Sequence, residues 1–155
     1  NSGYVEKALR YLHALQLMIF IIRPAALAAA ARFTREELDE LADRFTSPGS
    51  VHLADILEAI LKHTTLEPLY VILSETNHLL EWGHHFAYYP SKRHTLSHLN
   101  KKAITALRQL YEGNASSFAD GMADCYRYIL ICMKKNMVEK YKFHNVANIR
   151  VPEKY

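Results

Sequence analysis

The sequence predicts an all-α fold, a bundle of five or six antiparallel helices. Three observations carry this expectation. Apolar residues recur every three or four positions along most of the chain, which is the repeat of one helix face. Five Gly and five Pro in 155 residues leave too few turn signals for a sandwich or barrel. Half of the residues are hydrophobic and the net charge is only +3, so the chain buries a core and is not disordered. The length fits one helical domain, residues 1–155, in which 145–155 reads as an extended polar tail.

The first predicted helix runs from about residue 4 to 23. It starts amphipathic and turns apolar all round at Leu17, Met18, Ile19, Phe20, Ile21 and Ile22. Pro24 has no N–H to donate and is expected to end or kink it. The alanine-rich stretch 25–31 then has strong helix propensity. Residues 12–31 are about as long as a membrane span, but they contain His13, Gln16, Arg23 and Pro24. A central Arg costs about 2.5–3.5 kcal/mol on insertion, and alanines return little of it. The stretch is therefore expected to lie in protein rather than lipid. It has neither the basic start nor the cleavage pattern of a secretory signal.

Thr34 followed by Glu37 fits a capping box, and Leu38, Leu41, Ala42 and Phe45 continue at helical spacing. Residues 46–50 are the clearest loop, and Ser50 is placed to cap the next helix. There Leu53, Ile56, Leu57, Ile60 and Leu61 make an apolar face opposite Asp55, Glu58 and Lys62. Thr65 can cap a fourth helix whose first turn accepts Pro68, with Gly83 a plausible stop. A connector with Tyr88, Tyr89 and Pro90 leads to a helix over about 93–112, ended by Gly113 and Asn114. Ser116 or Ser117 caps the last long helix, whose stripe is Phe118, Met122, Cys125, Ile129, Cys132 and Met133.

The net charge hides an asymmetry. Residues 1–77 hold 7 Lys/Arg against 10 Asp/Glu, and the remainder 12 against 6, with six of the nine histidines. Such an imbalance marks either a polyanion-binding surface or two halves that attract each other within one bundle, and the second reading is slightly favoured.

Candidate chemistry is sparse. Arg93 and His98, with His94 beside the Arg, sit at a predicted helix start, on neighbouring turns of one side. Their Arg-x4-His spacing resembles the Arg-x4-6-His signature of the HEPN ribonuclease family, which is all-helical. The resemblance covers six residues. It implies His98 as the acid or base of RNA cleavage and Arg93 as the stabiliser of phosphate charge. A histidine titrates near neutrality and an Arg fork fits phosphate, so the pairing is chemically coherent. Weak metal candidates are the Glu75–His78 pair and the His94–His98 pair, which places two imidazoles one turn apart; a structural zinc site needs two ligands more. No metal or other cofactor is expected. Cys125 and Cys132 lie two helical turns apart, about 10 Å, too far for a disulfide. Free thiols fit a reducing compartment, the cytosol, nucleus or mitochondrial matrix.

The basic C-terminal stretch of Lys134, Lys135, Lys140 and Lys142, interleaved with Tyr141 and Phe143, is a candidate for phosphate backbones and base stacking. The plainer reading is that cations there complement a helix C-terminus. No glycine-rich phosphate loop, nucleophile elbow, Cys-x-x-Cys pair or dinucleotide fingerprint is present. The function expected first is therefore a non-catalytic helical interaction or assembly module, meeting a protein partner or a second copy. Its contact residues are expected at Ile19 and Phe20 and at Tyr88 and Tyr89. The alternatives are an RNA-binding or RNA-cleaving domain acting through the basic C-terminal half, and a His/Glu metal-binding bundle.

Overall fold

A computed structural model describes residues 2–46, 52–81, 83 and 92–153. Among them are six α-helices and no strand. They are α1 Ser2–Ala30, α2 Arg35–Arg44, α3 His52–Lys62, α4 Glu67–Leu80, α5 Lys92–Tyr111 and α6 Ala115–Glu139, followed by a 3-10 turn, His144–Val146. The expected bundle is what forms.

α1 is the spine. It packs chiefly on α6 and α4, and also on α3, while α5 packs on α6 and α3. Ala8, Leu12, Leu15, Ile19, Ile22, Ala26 and Ala29 recur every three or four residues on its buried side. Neighbours run antiparallel. Arg23 near the end of α1 bonds Asp120 near the start of α6 at 2.8 Å, and Gly83 beyond α4 lies on Tyr11 near the start of α1.

Three local expectations need correction. Pro24 does not end α1. The donor it removes would have reached the carbonyl of Phe20. Both Pro24 and Phe20 face outward, where water can serve that carbonyl, while Ala25, Ala26 and Ala29 anchor the turns beyond in the core. Thr65 does not cap α4; Leu66 holds the N-cap position without a side-chain bond, and Pro68 fits in the first turn. Gly83 is not the end of α4 but a close approach: a Cβ there would overlap the Tyr11 ring.

A fourth expectation also fails: neither Ser116 nor Ser117 caps α6, since both lie inside it and Asn114 holds the N-cap position without a side-chain bond. Two other termini follow the sequence. Thr34 and Glu37 form the full capping box, and Glu37 also meets His63 of the segment after α3 at 2.6 Å. That bond holds the Glu37 carboxyl below its ordinary range. α5 ends on Gly113 in the left-handed region, φ 87°. The N–H of Asn114 reaches the carbonyl of Gln109 and that of Gly113 the carbonyl of Leu110, the paired bonds of a Schellman cap.

The segment 145–155 is more than an extended tail. Val146 is buried at its 3-10 turn, and Ile149 and Val151 pack on the core. Three side chains clamp its backbone. Gln16 donates to the carbonyl of Arg150 at 2.7 Å, Arg127 to that of Pro152 at 2.6 Å, and Lys134 to that of Ile149 at 2.6 Å.

Among the described residues one ion pair joins the acidic and basic halves, Arg23 with Asp120, and there the cation comes from the acidic half. Arg44–Asp55, Lys62–Glu37, His63–Glu37 and Arg127–Asp124 stay within one half.

His52 opens α3, buried to 3% exposure and stacked on Phe45 of the preceding turn. Its Nδ1 has no hydrogen-bond partner among the described residues. Burial pushes its pKa below the ordinary histidine value. The unfolded chain therefore takes up a proton that the folded chain resists, so stability falls as pH drops below about 6.5, the unperturbed histidine value. Urea midpoints measured from pH 7.5 to 5.5 are expected to decline, and His52→Phe to remove that part of the slope.

Candidate functional site

The first turns of α5 carry the histidines singled out by sequence. Thr95 and Leu99 are buried and fix the rotation of the helix. That rotation leaves His94 and His98 on one exposed face, their ring centres 4.5 Å apart. Arg93 is exposed too, but it is five residues from His98, which on an α-helix turns the two about 140° apart. The structure therefore pairs His98 with His94 and not with Arg93.

α6 completes this face. The Tyr128 ring lies 6.1 Å from that of His98, inclined at 29°, and Lys102 sits 5.5 Å over the Tyr128 ring. Cys132, one turn on, and Thr95 of α5 lie near the Tyr128 hydroxyl. Burial, together with Cys132, pushes the phenol up to about 12. Burial also raises the Cys132 thiol. Cys125 is fully buried and its thiol is pushed up to about 12 by burial. Neither cysteine is poised as a nucleophile, since the thiolate is the reactive form. Beside this cluster His98, Lys101, Lys102, Gln109, Ser117 and Asp124 line a cleft of about 350 Å³ between α5 and α6. Its floor is the contact of Gly121 with Ala106, where a Cβ on Gly121 would stand 2.8 Å from the alanine methyl.

The remaining candidates are dispersed. Glu75 and His78 are exposed on α4, and no group of three or more His, Cys, Asp or Glu able to hold a metal occurs among the described residues. Lys134 is committed to the C-terminal segment. Lys135, Lys140 and Lys142 are exposed, Lys142 in the left-handed region at φ 60° just beyond α6. Of the expected partner contacts, Ile19 is buried at 1% exposure, because it falls on the inward stripe of α1, while Phe20 is 50% exposed. Tyr88 and Tyr89 lie outside the described residues, as do His84, His85 and the Ser50 cap.

α4 carries an exposed apolar feature that was not among the expected contacts. α4 buries Leu73, Thr76 and Leu80 with Leu69 beside them, and leaves Tyr70, Val71, Ile72 and Leu79 exposed, with Leu66 just before it. The five consecutive apolar residues from Leu69 to Leu73 were the available signal: an amphipathic helix interrupts such a run with polar residues. On α1, which packs against α4, Leu17 and Phe20 are also exposed.

Comparison with protein-family models, with curated proteins and with solved structures gives no match.

Proposed function

We propose that the chain is a non-catalytic helical interaction module that docks another protein on the outer face of α4. One observation carries this reading: α4 leaves Tyr70, Val71, Ile72 and Leu79 exposed, with Leu66 just before it, beside the polar Glu75 and His78. Large apolar side chains clustered on one exposed helix are the usual mark of a contact surface. The first occupant to test is a second copy of the chain. Ile72→Glu places a carboxylate among the exposed apolar side chains of α4, at a position that is 45% exposed. An apolar dye such as ANS is expected to bind the free face, or a dimer to cover it, and Ile72→Glu to abolish whichever is seen. A monomer that binds no dye, with Ile72→Glu indistinguishable from it, would remove this reading.

A second reading has its own support. The C-terminal half carries the basic excess, 12 Lys/Arg against 6 Asp/Glu, and His98, Lys101 and Lys102 share a cleft. That arrangement favours contact with an RNA backbone. Incubation of RNA with wild type and with His98→Ala tests the catalytic form: cleavage by wild type, reduced by at least about a hundredfold in the variant, supports it. Equal cleavage by both, or none by either, ends it.

A further inference from the structure

We propose that His94 and His98 form a two-imidazole chelate for a divalent transition-metal ion, with Cu2+ the preferred ion. Both rings are exposed and belong to one helix face. The turn between them is fixed by Thr95 and Leu99, so the backbone presenting the pair is anchored in the core. The His98 ring is flanked by that of Tyr128, 6.1 Å away. A ring restrained in this way loses less freedom on capturing a metal.

The rings are near enough to share one ion: metal–imidazole bonds are about 2.0–2.1 Å, and the ring centres lie 4.5 Å apart. Among the divalent first-row ions Cu2+ binds nitrogen sites most tightly, and imidazole is one of its usual ligands. Among the described residues no third His, Cys, Asp or Glu joins the pair, so water would complete the coordination and the ion would stay exchangeable.

Calorimetric titration of the full chain with Cu2+, together with the electron paramagnetic resonance spectrum of the loaded protein, tests this site. One Cu2+ per chain is expected, with a two-nitrogen signature. His94→Ala and His98→Ala should each weaken binding by at least about tenfold, the loss of the chelate advantage, and reduce the signature to one nitrogen. His13→Ala, on exposed α1 surface, should change neither. All three side chains are exposed, and unchanged helical circular dichroism checks that each variant folds. Retention of wild-type affinity in either His94→Ala or His98→Ala, or a two-nitrogen signature surviving in His98→Ala, overturns the proposal and places copper elsewhere.

Discussion

Phe118→Ala is expected to lower the stability of the fold by about 3–5 kcal/mol, the range for removing a buried phenyl ring. Phe118 has no exposed surface and stands one turn into α6. Its ring meets Phe33 edge-on at 6.3 Å, and Phe33 in turn lies 5.0 Å from the His63 ring. His63 is bonded to Glu37 of the capping box. Through these contacts one ring joins the start of α6 to the connection between α1 and α2 and to the end of α3. The cavity left by alanine cannot be refilled by a single flexible neighbour. Domains of this size are stable by about 5–15 kcal/mol, so the loss is a large fraction of the total. Urea unfolding followed by circular dichroism measures it. A loss below about 1 kcal/mol would mean that the three segments do not share one packed junction.

Arg127→Ala is expected to cost about 1–3 kcal/mol through groups left unpaired and to release the C-terminal segment. The guanidinium donates to the carboxylate of Asp124 at 2.7 Å and to the carbonyl of Pro152 at 2.6 Å, with the carbonyl of Glu153 at 3.4 Å. Its side chain is 12% exposed, so water replaces these bonds only in part. Lys134 and Gln16 still hold Ile149 and Arg150, so the release should begin at the chain end and stop near residue 150. Backbone 15N relaxation reads this directly: lower order parameters confined to Val151 and Glu153 are expected, and unchanged values there would contradict the clamp.

The sequence disclosed the helices because burial follows helical spacing in most of them. The inward stripe of α6, from Phe118 through Met122, Cys125 and Ile129 to Met133, is buried as its spacing required. The capping box of Thr34 and Glu37 was equally plain, since both partners lie within one turn. What was not legible depends on residues far apart in the chain. Nothing local marks Arg127 as the residue that bonds the carbonyls of Pro152 and Glu153, far along the chain. The approach of Gly83 to Tyr11 joins positions 72 residues apart, and no local pattern signals it. The relation of Arg93 to His98 follows a local rule instead: a five-residue step does not return to the same helix face, whereas the four-residue step to His94 does. Ile19 and Phe20, adjacent in an unbroken apolar run, separated into core and surface only once α6 and α4 chose the sides of α1.

The central functional claim is that the outer face of α4 is covered by another protein surface, in the first instance that of a second copy. Light scattering after size-exclusion chromatography, over a hundredfold range of concentration, tests it most directly. The account predicts a wild-type mass that rises from one chain to two, and an Ile72→Glu mass that stays at one chain throughout. A wild-type dimer that persists unchanged in Ile72→Glu would contradict it, because the chains would then meet through some surface other than α4.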